Sequence, residues 1–268
     1  LPLILFATLL PPNLRHGTYA LDAGILAVSV YATSSAFAIF SFRQRPLRFA
    51  LGVAATLAAP LFANGQIREL AHERGFFGVS RVMLSADGEW HLLRHGTTLH
   101  GAQAVAPARW REPQTYYSAQ GPVGQVFSAR AGREDVRNVG VIGLGAGATA
   151  GYRPPWQNRT VYEIDPSIDR LARDSRYFRY LSECAPEART VLGDARLSLA
   201  READGAYDLL ILDAFSSDAI PMHLLTREAV ALYLAKTAPG GILLIHISNR
   251  HLRLESVVAR LAADAGLD

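Results

Sequence analysis

The chain has 268 residues, half of them hydrophobic, with 27 Lys and Arg against 24 Asp and Glu and a formal net charge of +3, enough to build one large domain or two small ones. Of these charges only Arg15, Asp22, Arg43, Arg45 and Arg48 fall in residues 1–64; the remainder is balanced at 23 of each sign with no basic run, which excludes nucleic acid as a partner and favours small molecules. A single cysteine, Cys184, excludes an internal disulfide framework and a cysteine-cluster metal site, and the single lysine, Lys236, lies on a helical stretch and leaves Schiff-base chemistry almost without a candidate.

Ala23–Phe42 is 20 residues without a charge, the length that crosses a hydrocarbon core of roughly 30 Å, and reads as a transmembrane helix. Phe49–Ala63, which contains Pro60, and Leu1–Leu10 read as further membrane segments, with a buried core helix as the alternative. Several apolar stretches without a basic leader argue against a cleaved signal peptide. The start at Leu1 suggests a fragment of a longer membrane protein. Arg43, Arg45 and Arg48 would hold their loop in the cytoplasm.

Phe76–Leu84 and Glu89–Arg94 are strand-like around Ala86-Asp87-Gly88 and predict a hairpin in a small β module, residues 65–131 with its linker. His91, His95 and His100 invite a metal reading, but strand geometry does not bring such spacings together. No metal is expected, and the histidines read as surface or loop residues. The Tyr116-Tyr117 pair ahead of Gly121-Pro122 reads either as pocket wall or as packing, with Tyr117 the candidate substrate contact.

Beyond residue 132 the pattern changes to apolar runs alternating with helical segments. The runs are Val139–Leu144, Thr160–Ile164, Thr190–Leu192, Tyr207–Leu212 and Gly241–Ile247. Such alternation predicts an α/β domain, residues 132–268, with a parallel sheet buried on both faces. The chain stops after the helix that follows the fifth run, which leaves room for a truncated sheet. Ligands of such sheets bind at the carboxyl ends of the strands, so the residues just after each run are the candidates.

Gly143-Leu144-Gly145-Ala146-Gly147 follows the first run, where glycines permit a tight turn and a close backbone approach to a ligand. A turn without ligand is the alternative, and GxGxxA through Ala148 also fits a dinucleotide fold. Glu163 ends the second run 20 residues after Gly143, where a carboxylate accepts from two ribose hydroxyls. Asp165 reads as the cap of a helix starting at Pro166. Asp194-Ala195 closes the third run, with Asp194 either a ligand acceptor or a helix cap, and Asp213-Ala214-Phe215 closes the fourth. Acids at both positions suit an adenosyl sulfonium, which offers an adenine amine and a cation, better than they suit a dinucleotide. His246, on the fifth run, reads as core.

Gly143–Gly147, Glu163-Ile164-Asp165, Gly193-Asp194-Ala195 and Asp213–Asp218 resemble the spermidine synthase group of the class I methyltransferase fold over roughly residues 136–248. The preceding β module resembles that family's small N-terminal domain. Apolar segments ahead of it, with DAFSSDAIPMHLLT (Asp213–Thr226) and HISNR (His246–Arg250), resemble its bacterial membrane-bound branch. The resemblance implies a Rossmann-like, methyltransferase-type parallel sheet behind a β module and N-terminal transmembrane helices (residues 1–64), in the bacterial inner membrane with a cytoplasmic catalytic domain. It further implies that the turn through Gly143, Gly145 and Gly147 faces the methionine-derived part of decarboxylated S-adenosylmethionine, that Glu163 holds the ribose, and that Ile164 packs on the adenine. Asp194, beside Ala195, would take the adenine amine, Asp213 would be the base or orienter for a polyamine such as putrescine, and Asp218 a second acidic contact.

Three features depart from that family. The aspartate within its glycine motif is here Ala146, Asp213 and Asp218 stand five apart rather than three, and its Tyr-Gln and Tyr-His-Glu substrate motifs have no counterpart. Intact S-adenosylmethionine, with methyl transfer or other cleavage at sulfur, is therefore the alternative. A membrane-tethered domain that binds nucleotide or polyamine without turnover is a third. The expected partners are a small amine and the lipid bilayer, with a homo-oligomer left open.

Overall fold

The computed structural model describes residues 32–63, 68–96, 98–129, 135–214, 221–247 and 253–267. The chain divides into two compact units, Leu1–Gly65 and Gln66–Asp268.

In the first unit, residues 32–41 are helical and a turn leads into α1, Pro46–Ala63. A β-carbon added at Gly52 would lie 3.2 Å from Cγ1 of Ile39, so the two helices pack at that glycine. Residues 1–31, and with them Leu1–Leu10 and the first part of Ala23–Phe42, lie outside the described residues. Among the described residues no helix is long and apolar enough to cross a membrane. The transmembrane expectation for Phe49–Ala63 is thereby corrected: the 18 residues of α1 extend roughly 27 Å at about 1.5 Å each, short of a bilayer core of roughly 30 Å, and they include Arg48 near the start.

The second unit begins with an antiparallel sheet in the order β1-β2-β3-β4, formed by Arg68–Gly75, Gly78–Leu84, Trp90–His95 and Thr98–Ala104. The predicted hairpin is β2 and β3, paired with Ser80 opposite His95 and Leu84 opposite His91. A 3-10 turn, Thr115–Tyr117, and helix α2, Pro122–Ala129, lead to the second sheet.

That sheet is parallel throughout, in the order β7-β6-β5-β8-β9. Its strands are Asn138–Ile142, Asn158–Glu163, Arg189–Leu192, Tyr207–Leu212 and Thr237–Ile245, β5 to β9 in chain order. Each of the five apolar runs forms one of them. Alternate residues feed opposite faces: Leu209 and Ile211 enter one core cluster, Leu210 and Leu212 the other. Contiguous apolar runs follow directly from burial on both faces. Val82, Leu93 and Tyr117 of the β module join the first cluster, so module and sheet share one core.

The crossovers are shorter than the sequence predicts. Only a 3-10 turn, Ala148–Tyr152, follows the glycine segment, and Pro154-Pro155 preclude its continuation as a helix. Helix α3, Pro166–Arg173, is capped by Asp165, which accepts from the backbone N–H of Ser167. Short α4, Ala195–Leu199, follows β7; α5, Arg227–Lys236, precedes β9; and α6, Leu254–Asp264, follows it. The chain leaves β5 toward β6 and β7, then returns to place β8 on the other side of β5. This reversal opens a crevice at the carboxyl ends of β5 and β8.

Candidate active site

Gly143 directly follows β5 and Asp213 directly follows β8, and the two touch. Gly143 has φ +95°, and a β-carbon there would overlap the carbonyl oxygen of Asp213; only glycine fits on both counts. A β-carbon on Gly145, φ +53°, would lie 2.6 Å from the carbonyl oxygen of His100, because β4 passes directly over the turn. Ala146 is buried there, its β-carbon 2.5 Å from where a side chain on Gly101 would begin.

The cleft at this end of the sheet holds about 880 Å³ of empty space, counting its open mouth. Its walls include Gly143, Gly145, Glu163, Ile164, Asp194, Ala195 and Asp213, seven of the residues singled out in the sequence. Gly147, φ +82°, instead packs beneath the turn against Leu181. Asp218 lies outside the described residues.

Glu163 is buried, and each carboxylate oxygen accepts one backbone N–H, Oε2 from Leu144 and Oε1 from Asp165, both at 2.9 Å. Burial pushes its pKa up, against the lowering effect of those amides. A carboxylate has about four acceptor positions, so two remain for hydroxyl donors. Beside it Ile164 is 45% exposed, an apolar surface on the cleft wall.

Asp194 performs two tasks. Oδ1 caps α4 by accepting from the N–H of Leu197 at 3.0 Å, and Oδ2 lies 2.8 Å from Nε2 of His223. The cap reading from the sequence is thus correct without removing Asp194 from the cleft. His223 was not anticipated; it lines the same wall.

Asp213 is the most tightly held group. Its Oδ2 accepts from the hydroxyls of Tyr117 and, at 3.1 Å, Tyr116, and its Oδ1 lies 2.5 Å from Nδ1 of His246. Tyr116 lines the cleft, while Tyr117 lies buried behind it. Desolvation, then the Asp213 charge, raise the Tyr116 pKa, so this phenol remains a donor. His246, read from the sequence as core, is mostly buried and meets the site from behind rather than from the cleft wall. Its backbone N–H donates to Leu212 O just beyond β9, at the strand-end level of Asp213, and its ring lies 4.4 Å from that of Tyr116. A polar residue at the end of the fifth run was the signal.

The reading of the β-module histidines is corrected. His95 and His100 both face the cleft, rings 5.8 Å apart, with His95 Nε2 2.8 Å from the carbonyl of Phe77. Among the described residues no group of three or more His, Cys, Asp or Glu is placed to hold a metal ion. The short turn after Gly147 also weighs against a dinucleotide, whose pyrophosphate relies on a helix N-terminus.

Chains in the spermidine synthase class share this architecture. A probable spermidine synthase from Corynebacterium glutamicum ATCC 13032 superposes with TM-score 0.53 at 20% identity, over 67% of this chain and 63% of that one. The Thermotoga maritima spermidine synthase gives 0.55 at 13%, and a spermidine synthase in complex with the transition-state analogue AdoDATO gives 0.58 at 13%, each over 74% of this chain and 64% of the other. The fold is that of spermidine synthase. In sequence, 93 residues are 36% identical to a polyamine aminopropyltransferase of Vibrio vulnificus (strain CMCP6), a match that takes in 33% of this chain and 30% of that relative. No protein-family model matches the chain.

Proposed function

We propose that the chain is an aminopropyltransferase of the spermidine synthase type, moving the aminopropyl group of decarboxylated S-adenosylmethionine to a small polyamine such as putrescine. The observation that carries this reading is Asp213, held at Oδ2 by two phenols and at Oδ1 by His246, on the wall of a cleft that also presents Glu163, Ile164 and Asp194. Glu163 would receive the ribose hydroxyls on its two remaining acceptor positions, Ile164 would cover the adenine face, and Asp194 with neighbouring Ala195 would take the adenine amine. Asp218 would add a second carboxylate for the cationic acceptor.

A sulfonium already makes its neighbouring carbon electrophilic, so the protein need only align the amine and accept a proton. The amine nitrogen bonds to the aminopropyl carbon, the carbon–sulfur pair passes to sulfur, and neutral methylthioadenosine leaves. The proton shed by the amine goes to Asp213.

Intact S-adenosylmethionine is the second reading, favoured by His95 and His100, which put imidazoles rather than carboxylates on the β-module side of the cleft. Incubation of the protein with each cofactor, with and without putrescine, followed by mass spectrometry separates the two. Methylthioadenosine formed only from the decarboxylated cofactor plus amine is the expected result; adenosylhomocysteine would replace it with methyl transfer, and binding without product with a sensor role.

Membrane attachment belongs to the same proposal. Phe37, Leu47 and Leu57 are 81%, 73% and 74% exposed on the helices of the first unit, apolar surface suited to lipid. We place the protein at a bacterial inner membrane with Gln66–Asp268 on the cytoplasmic side, where such nucleotides are found. Recovery of the full chain in the soluble fraction after cell breakage would overturn this placement.

A further inference from the structure

We propose that His223 is a positioning residue of the adenine site: it donates to the second oxygen of Asp194 and so fixes the plane of that carboxylate for the adenine amine. The inference rests on the adenosyl-binding part of the reading above and deepens it.

Asp194 is held at both oxygens. Oδ1 accepts the backbone N–H of Leu197 at 3.0 Å, and Oδ2 lies 2.8 Å from Nε2 of His223. An ionised carboxylate only accepts, so the hydrogen of the second bond belongs to Nε2. Held at one oxygen, a carboxylate still turns about its Cβ–Cγ bond; held at both, it does not. Of its roughly four acceptor positions two are filled, and the two that remain lie in a plane set by the donors. Asp194 and His223 line the same cleft, so an amine on the remaining position of Oδ2 sits beside the imidazole.

Stability alone is a poor account of this pair. Capping α4 uses Oδ1 only, and an ion pair with side chains 47% and 26% exposed contributes little. Yet His223 is firmly placed. Pro221, on the cleft wall, leads into the 3-10 turn Met222–Leu224. Leu224 is buried in the second core cluster, and its carbonyl accepts the Tyr233 hydroxyl at 3.0 Å. The His223 carbonyl accepts from Nη1 of Arg196 at 2.9 Å. Arg196 belongs to α4, the helix that Asp194 caps. Asp194, α4, Arg196 and His223 thus form a closed circuit, and the imidazole stays in register with the carboxylate it holds. A group ordered before the ligand arrives spares the complex the cost of ordering it.

The test measures two nucleosides by calorimetry on the intact protein: methylthioadenosine, and its analogue with hydrogen in place of the six-amine. His223→Leu removes the donor from an exposed position. It should weaken methylthioadenosine by roughly 3- to 10-fold and the desamino analogue by less than about twofold, because only the first uses the oriented carboxylate. His223→Gln, whose amide nitrogen can donate from the place of Nε2, should recover most of the loss. Equal losses for the two nucleosides would make the ring a mere wall of the cleft, and they overturn the inference. Unchanged affinity in His223→Leu, or a Gln variant no better than Leu, overturns it as well; each of these leaves adenosyl binding standing. Native protein that binds neither nucleoside overturns the adenosyl reading itself.

Discussion

The phenol of Tyr117 donates to Oδ2 of Asp213, 96 residues further along the chain. This bond ties the segment after the β module to the end of β8 and fixes one oxygen of the carboxylate that the site is built around. Tyr152 in turn donates from its hydroxyl to the Tyr117 carbonyl at 2.5 Å, so the turn is held from both sides.

Asp213→Asn should therefore separate chemistry from binding. The amide accepts no proton, so turnover should drop by about 10²–10⁴-fold, while methylthioadenosine still finds Glu163, Ile164 and Asp194 and binds within about twofold of the native affinity. Kinetics and calorimetry on the same preparation check this; a parallel loss of affinity would make Asp213 a binding residue.

The two phenols are unequal. Tyr117 is 4% exposed and Tyr116 37%, and a hydrogen bond to a charged group contributes about 1.5–3 kcal/mol where water cannot replace it. Tyr117→Phe should reach that range in chemical denaturation and Tyr116→Phe should fall below about 1 kcal/mol. Equal losses would mean that the turn, not the bonds to Asp213, sets the stability.

Much of this was legible in the sequence, for a physical reason. Strands β5 to β9 are buried on both faces and read as apolar runs, and the acids at their ends fall where a parallel sheet binds ligand. The charged edge strand β1, RELAHERG, escaped because it pairs with β2 alone and leaves most of its side chains in solvent. β4, TLHGAQA, escaped because its buried residues are small or polar. His246 lies behind Asp213, and that contact joins two strand ends which sequence spacing alone does not bring together. Ala146 shows the opposite error: a motif comparison treats it as a missing carboxylate in the pocket, yet its side chain meets Gly101.

That contact yields a prediction about the departure from the family pattern. Ala146→Asp should not supply a useful carboxylate. It would force a larger, charged side chain against β4, with an overpacking cost of about 1–3 kcal/mol and the desolvation of a carboxylate besides. A lowered melting temperature without improved use of decarboxylated cofactor is expected; higher kcat/KM would show that the side chain reaches the cleft after all.

Glu163 links pH to ligand binding. Its pKa in the folded chain lies above the ordinary 4.5 because of burial. The stability it contributes is thus present below that value and lost as pH rises through the raised one. Ribose hydroxyls need the ionised acceptor, so affinity runs the other way. The melting-temperature gain from saturating methylthioadenosine should be larger at about pH 8 than at about pH 5. A gain independent of pH would remove Glu163 from the ribose site.

Asp194 is the sharpest case, since its capping of α4 alone would account for its presence. Asn caps a helix about as well as Asp, so Asp194→Asn preserves the bond from Leu197 N–H and should change the stability of the ligand-free protein by no more than about 0.5 kcal/mol. The second position, which in the native chain accepts at Oδ2, becomes an NH₂ donor opposite the adenine amine. Loss of that hydrogen bond and the mismatch it leaves should weaken methylthioadenosine binding by about tenfold or more. An inosine analogue, whose six-position oxygen accepts rather than donates, should lose much less or gain. If both nucleosides bind the variant as they bind the native protein, Asp194 is a helix cap and the adenine is read elsewhere on the cleft wall.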